Sequence, residues 1–102
     1  MNTILMILSL VFVTPNQNAH YKVFITKDRY QADLWVWKTD DKYQAKNSEQ
    51  IWFQTDDKYA ANFSVKFVDS KSKANLIIYY TKTKNEAGWK KPHIYRGALN
   101  NP

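Results

Sequence analysis

Cysteine is absent from this chain of 102 residues, and glycine, proline and histidine are scarce, with two, three and two copies respectively. Without cysteine the chain cannot form a disulfide, and we do not expect it to carry a lipid on an N-terminal cysteine. Gly88 and Gly97 are too few to build a glycine-rich phosphate-binding loop, and two histidines are too few for a convincing catalytic triad. The composition therefore predicts a protein that is not an enzyme, with no catalytic residue, no cofactor and no metal.

A long apolar run is missing as well. The apolar stretch from Ile4 to Val13 is too short to cross a bilayer, and it lies within residues 1–19, which hold no Lys, Arg, Asp or Glu. This pattern is typical of a secretory signal sequence. We predict cleavage after Ala19, a mature domain of residues 20–102, and a secreted or periplasmic protein that does not span a membrane. The alternative is that the stretch forms a buried N-terminal strand of the domain.

What the sequence does contain is an internal repeat. Each copy begins with an apolar-leaning run, continues through an acidic or hydroxyl residue and a base, and ends in alanine. The five copies are VFITKDRYQA (23–32), VWKTDDKYQA (36–45), WFQTDDKYAA (52–61), VKFVDSKSKA (65–74) and IYYTKTKNEA (78–87). Their closing alanines are spaced 13, 16, 13 and 13 residues apart, with one insertion at residues 47–49. Such regularity indicates a repeat architecture.

One column of the repeat, at the third position of each predicted strand, is always large and apolar. It consists of Val23, Val36, Trp52, Val65 and Ile78. This column predicts short strands with an inward-facing side chain. Neighbouring aromatics add bulk on the other face, so we expect most strands to be covered on both sides. The strand around Val65, with Ser64 and Lys66 on one face, is predicted to be an edge. We also predict that Trp52 and the repeat alanines are buried.

After each strand comes an acidic or hydroxyl residue suited to capping a short helical turn. The carboxylate pairs Asp40-Asp41 and Asp56-Asp57 recur at this position, so we interpret them as caps rather than as acid–base groups or cation ligands. A turn this short is not stable by itself and depends on tertiary packing. The predicted fold class is α/β, a single domain of five units that each combine a short β-strand with one helical turn.

The strand followed by an Asp-(Arg/Lys)-Tyr-x-Ala turn, with a last copy closing in Ala87-Gly88-Trp89 and a basic tail, resembles the 7(1) septoil knot domain. This is a family of small proteins of unknown function, and the resemblance covers about residues 23–89. It implies a monomer whose strands and turns wind into a compact seven-crossing torus knot. The chain departs from the family pattern at residues 82–85, which replace the acid-led turn, and at Ser72 and Asn85, where the first three copies have tyrosine.

Positive charge is concentrated in the C-terminal part. Residues 1–65 hold seven bases and seven acids, whereas residues 66–102 hold eight bases and two acids. We predict a polyanion-binding site in this part, interleaved with Trp89, His93 and Tyr95. Its residues are Lys82, Lys84, Lys90, Lys91 and Arg96. The base column of the repeat could also form a ladder for a polyanion. It consists of Arg29, Lys42, Lys58, Lys71 and Lys84. Candidate partners are anionic glycans or lipid head groups, and nucleic acid is the least favoured; the alternative is ordinary solvated surface charge.

His20 suggests an alternative function, copper binding. As a mature N-terminus, its free amine and imidazole could chelate copper, with His93 as a second imidazole and a tyrosine nearby. The function that we put first is a non-enzymatic, exported, monomeric module with a structural or polyanion-binding role. A copper-binding protein or enzyme is the alternative.

Overall fold

The computed structural model describes residues 9–46 and 48–102, and within them the chain forms seven strands and four 3-10 turns. The strands are β1 Leu10–Val13, β2 Tyr21–Ile25, β3 Leu34–Lys38, β4 Ile51–Gln54, β5 Phe63–Phe67, β6 Leu76–Tyr80 and β7 Gly88–Trp89. The turns are η1 Arg29–Gln31, η2 Lys42–Ala45, η3 Lys71–Lys73 and η4 Lys84–Glu86. The described residues contain no α-helix, and none of their helices is long and apolar enough to cross a membrane. The fold is therefore mainly β rather than the predicted α/β.

Six of the strands close into a parallel barrel. Their order is β4, β1, β5, β2, β6, β3, and an additional pairing of β3 with β4 completes the ring. All six pairings around the ring are parallel. The short β7 runs antiparallel along the first half of β3. Each strand of the barrel therefore has a neighbour on both sides.

The strand predicted as an edge, β5, lies between β1 and β2. That prediction was wrong because β1, which forms within the stretch predicted to be a signal sequence, pairs with β5 on one side. In the barrel, Val11 of β1 is only 2% exposed, as the alternative of a buried N-terminal strand expects. Cleavage after Ala19 stays a prediction, and it would remove β1 and uncover one edge of β4 and one of β5.

Short connections suffice because the strands are strongly staggered. Ile78 of β6 is the register partner of both Ile25, at the end of β2, and Leu34, at the start of β3. The chain therefore only has to pass across the outer face of β6 between these strands, whereas parallel strands usually need a connection of about a dozen residues or more. Val11, Val23 and Val65 show the same stagger: each is the register partner of a residue at the end of one strand and of a residue at the start of the next strand in the chain. A crossing this short leaves room for one 3-10 turn, which explains the missing α-helices.

An aspartate or asparagine just before a strand fixes three of these crossings. Its backbone N–H donates to the carbonyl of a residue in the crossed strand, and its side-chain oxygen accepts from the N–H of that same residue. The pairs are Asp33 with Ile77, Asn62 with Leu10 and Asn75 with Lys22, at 2.8 to 3.0 Å. The crossed strand thus keeps both backbone bonds at that residue, and buried backbone groups require this.

The interior of the barrel is the hydrophobic core. The apolar column is buried as predicted, with every member at most 3% exposed: Val23, Val36, Trp52, Val65 and Ile78. The outward side chains of Phe24, Trp35 and Tyr79 are only half-buried, so the expected coverage of both faces is partial. Among the repeat alanines, Ala32 and Ala45 are buried, whereas Ala61, Ala74 and Ala87 are half-buried. The burial prediction is therefore confirmed for Trp52 and for two of the five alanines.

The C-terminal segment closes the end of the barrel at which the strands begin. Leu99 is fully buried in the core, and its carbonyl accepts from the Tyr21 hydroxyl at 2.8 Å. The Glu49 carboxylate accepts from the Trp89 indole at 2.9 Å and from the backbone N–H groups of Gly97 at 2.7 Å and Leu99 at 2.8 Å. Gly97 has a φ of +86°, a conformation that favours glycine. The insertion in the repeat therefore supplies Glu49, the residue that ties this segment to the barrel.

Candidate binding surfaces

The turns after β2, β3 and β4 are held by their aspartates. The aspartate side chain accepts from the backbone N–H two residues later, in the pairs Asp28–Tyr30, Asp41–Tyr43 and Asp57–Tyr59, at 2.9 to 3.0 Å. Asp41 and Asp57 are the second members of the two carboxylate pairs, so their capping role is confirmed. The first members, Asp40 and Asp56, are exposed.

Each of these three turns presents a base and a tyrosine to solvent. The base lies over the ring of the next residue in the pairs Arg29–Tyr30, Lys42–Tyr43 and Lys58–Tyr59, with 5.5, 5.3 and 5.1 Å from the charged group to the ring centre. The tyrosines are 76%, 59% and 87% exposed. The repeat thus places three basic and aromatic pairs on the outside of the barrel.

The other two bases of the column behave differently because no tyrosine follows them. The Lys71 ammonium donates to Oε1 of Gln31 at 2.5 Å, and the Lys84 ammonium donates to Oε1 of Gln44 at 2.6 Å. These two lysines therefore bridge neighbouring turns. The five bases do not share one arrangement, as a continuous ladder would require.

Two bases meet over one aromatic ring on the outer wall. The Lys90 ammonium lies 4.4 Å from the centre of the Trp35 ring, and the Arg29 guanidinium carbon lies 5.9 Å from it. The Trp35 indole donates to the Arg29 carbonyl at 2.9 Å, which orients the ring. Tyr79 packs beside it with ring centres 5.6 Å apart. We call Arg29, Tyr30, Trp35, Tyr79 and Lys90 the Trp35 surface.

The five residues predicted to bind a polyanion are all exposed: Lys82, Lys84, Lys90, Lys91 and Arg96. Within the described part of the chain, none of them lies within 4.0 Å of a carboxylate oxygen. They do not form one compact cluster, since Lys82 follows the end of β6 and Arg96 lies in the segment that closes the opposite end of the barrel. Only Lys90 belongs to the Trp35 surface. Sequence analysis missed Trp35 and Tyr79, whose only signal was an outward position in a strand.

The end of the barrel at which the strands finish is open and forms a second candidate, which we call the mouth. A cavity of about 270 Å³ lies there, and its lining includes Lys38, Asp40, Trp52, Phe67 and Tyr80. The Lys38 ammonium lies 4.4 Å from the centre of the Tyr80 ring. Burial raises the pKa of Tyr80 from 10.0 to about 12, so its hydroxyl keeps its proton at a higher pH than an exposed tyrosine does.

The two histidines of the copper alternative are each held by the protein. His20 Nδ1 accepts from the backbone N–H of Ser64 at 2.9 Å, and the backbone N–H of His20 donates to the Ser64 hydroxyl at 3.1 Å. His93 Nε2 lies 3.1 Å from the carbonyl oxygen of Asn75. Across residues 9–46 and 48–102, no group of three or more His, Cys, Asp or Glu side chains could hold a metal ion. Copper binding by a chain that starts at His20 stays a prediction.

The comparisons with known proteins concern the fold. A protein-family model described as the 7(1) septoil knot domain matches residues 7–90. The matched range includes all of the strands and turns described above, β1 among them. No curated protein and no solved structure matches this chain.

Proposed function

This chain belongs to the 7(1) septoil knot domain family, and we propose that it is a non-catalytic module that binds an anionic polysaccharide on the Trp35 surface. The observation that carries the proposal is the convergence of Arg29 and Lys90 on one tryptophan ring. The indole holds the two cations near each other on the outer wall, and the cations offer partners for the carboxylate or sulfate groups of an acidic sugar. A site that combines an aromatic ring with cations suits an acidic sugar better than a site of cations alone.

The charge distribution supports an extended ligand. The chain carries a net charge of +6, and all of this excess lies after residue 65. The exposed pairs Lys42–Tyr43 and Lys58–Tyr59 repeat the combination of base and aromatic ring beyond the Trp35 surface. A positive field of this kind accelerates the approach of an acidic polymer. We therefore propose the Trp35 surface as the main contact and the turn pairs as further contacts along a chain-like ligand.

Heparin affinity chromatography tests this proposal, with heparin as the acidic polysaccharide. The Arg29→Gln/Lys90→Gln double variant should elute at lower salt than the wild type, and its affinity should depend less on salt, because fewer counterions are released. The matched control is Lys82→Gln/Lys91→Gln, which removes the same charge outside the Trp35 surface. We expect a smaller change for this control.

Equal changes in the two double variants would contradict a specific role for the Trp35 surface and point to diffuse surface charge. Unchanged elution of both would overturn polysaccharide binding altogether. Binding to vesicles of anionic lipid without retention on heparin would instead assign the surface to lipid head groups.

Small-molecule binding in the mouth is a second candidate function. Its volume of about 270 Å³ is close to the lower end of the usual range for ligand sites, about 300–1,000 Å³. Within the described chain the Lys38 ammonium has no carboxylate oxygen within 4.0 Å, and Trp52 and Phe67 line the same cavity. A small aromatic carboxylate can pair with Lys38 and pack on the two rings, with its charge turned away from Asp40, which also lines the cavity. Indole-3-acetate should cause saturable NMR shifts of residues in the mouth. The Lys38→Met variant should lose these shifts, and the control Lys27→Met should keep them. Shifts that survive in Lys38→Met would contradict the assignment.

Export is a separate proposal, which rests on the uncharged stretch of residues 1–19. In this fold, cleavage after Ala19 would remove β1, so an exported protein would have to hold its barrel together without that strand. Mass spectrometry of the protein from its native host decides the matter. A chain that starts near His20 supports export by cleavage, whereas a chain that retains Leu10 to Val13 contradicts it.

We also propose that the chain path is the knot that the family description names. The support is the repeated crossing of short connections over an intervening strand. In an optical trap, a knotted chain pulled from both ends tightens its knot and stops short of full extension, which is about 3.3–3.6 Å per residue. Extension to the full length of 102 residues would contradict the knot.

A further inference from the structure

Two lysines lie directly beside each other on the outer wall of the barrel. Lys22 of β2 and Lys66 of β5 are register partners on neighbouring strands. Both side chains are half-buried and point outward, because the residues next to them in the strands, such as Val23 and Val65, point into the core. Like charges in such positions repel each other and destabilise a sheet.

No acidic side chain of the described residues pairs with these two lysines. Within the described residues, neither Lys22 nor Lys66 has a carboxylate oxygen within 4.0 Å. The nearby acid Asp69 is bound to Lys73 instead, with 3.0 Å between the ammonium nitrogen and the carboxylate oxygen. This hydrogen bond and the charge of Lys73 lower the pKa of Asp69, so the carboxylate is ionised at neutral pH and engaged by Lys73.

The lysine pair opens into a concave site of about 570 Å³. Its lining includes Gln17 from the loop before β2, together with Lys22, Lys66, Asp69 and Lys73. Three ammonium groups and one carboxylate leave two positive charges without a partner in the cavity. The Gln17 side chain adds an amide, which can donate further hydrogen bonds.

We propose that this cavity, the Lys22–Lys66 site, binds a tetrahedral oxyanion, a phosphate or sulfate group, between the two lysines. Such an anion accepts from both ammonium groups in charge-assisted hydrogen bonds and removes their mutual repulsion. The site lies on β2 and β5, whereas the Trp35 surface lies on β3 and β6. The proposal is therefore independent of polysaccharide binding, and either can fail without the other.

NMR titration with inorganic phosphate at constant ionic strength tests the site, with sodium chloride replaced in steps. We expect saturable amide shifts at Lys22, Lys66 and their neighbours. Lys66→Gln should weaken phosphate binding by about tenfold or more, the loss expected for one charge-assisted hydrogen bond. The control Lys27→Gln removes an exposed lysine outside the cavity and should bind like the wild type. Wild-type protein without saturable shifts, or Lys66→Gln with unchanged affinity, overturns the proposal.

Stability supplies a second readout. Without phosphate, Lys66→Gln should unfold at the same urea concentration as the wild type or at a higher one, because one of two repelling charges is gone. Phosphate should raise the urea midpoint of the wild type through binding to the folded state but not that of the variant. A variant that is less stable without phosphate would show that Lys66 supports the fold, which contradicts the proposal; Lys22→Gln must give the same pattern.

The source of the anion is distinguished by a parallel titration with glycerol 3-phosphate. Tighter binding than that of inorganic phosphate assigns the site to phosphate monoesters, such as sugar phosphates. Equal or weaker binding assigns it to the free anion.

Discussion

Replacing Glu49 by glutamine should release the C-terminal segment from the barrel. The wild-type carboxylate accepts three hydrogen bonds, from Trp89 and Gly97 at Oε1 and from Leu99 at Oε2. A glutamine amide has one oxygen, and its nitrogen is a donor. Whichever way the amide turns, at least one N–H of the segment then faces another donor and loses its acceptor.

The magnitude follows from counting these bonds. In its better orientation the amide oxygen keeps the two bonds at the Oε1 position and loses the one to Leu99. A buried donor without a partner costs about 1–3 kcal/mol, and the two remaining bonds weaken because the acceptor is no longer charged. Because these bonds are part-buried or exposed, we expect the free energy of unfolding to fall by about 1–3 kcal/mol, against the roughly 5–15 kcal/mol typical of a small domain.

Urea unfolding and amide hydrogen exchange measure this effect. The matched control is Asp56→Asn, which removes the same charge at an exposed turn position and should change the free energy of unfolding by less than about 0.5 kcal/mol. In Glu49→Gln, the amide of Leu99 should exchange faster because the segment opens more often. A variant as stable as Asp56→Asn, with unchanged exchange at Leu99, would refute the reasoning.

Deletion of residues 1–19 should lower the midpoint of thermal unfolding, because β4 and β5 lose the strand between them; a wild-type transition by circular dichroism would contradict barrel closure. Ala45→Leu should lower the free energy of unfolding by about 1–3 kcal/mol, and Ala74→Leu by less, because Ala45 is buried and Ala74 half-buried. Equal losses in urea would count against this packing. The pKa of Tyr80 is raised from 10.0 to about 12, so the folded state keeps a proton that the unfolded chain releases. Stability should therefore fall from pH 10 to pH 12, and Tyr80→Phe should flatten that fall; an unchanged profile would contradict the shift.

Features that depend on neighbouring residues were predictable from the sequence. Val23 and Val36 are buried because side chains alternate across a strand, and that alternation is visible in the repeat. The capping aspartates were predictable because each acts on a near neighbour: the Asp41 side chain accepts from the backbone N–H two residues later. The exposure of Lys90 and Lys91 also agrees with their polar context.

Features that depend on distant residues were not predictable. Glu49 looked like part of an insertion, yet its partners lie 40 to 50 residues further along the chain. The Trp35 surface joins Arg29 from the first repeat to Lys90 from the tail, and no local pattern marks that contact. The Lys22–Lys66 site likewise exists only because β2 and β5 are neighbours in the ring.

By itself, the sequence determined the family, the five repeat strands, their inward side chains and the aspartate caps of three turns, because strand alternation and capping act over a few residues. At the other two turns the predicted caps Ser70 and Thr83 make no side-chain bond to the turn. Only the tertiary structure decided that β1 completes a closed barrel, that β5 is not an edge, and which charged residues meet on the wall. The physical reason is that parallel pairing joins strands far apart in the chain. Their order and stagger are set by the requirement that all six close one ring around a filled core.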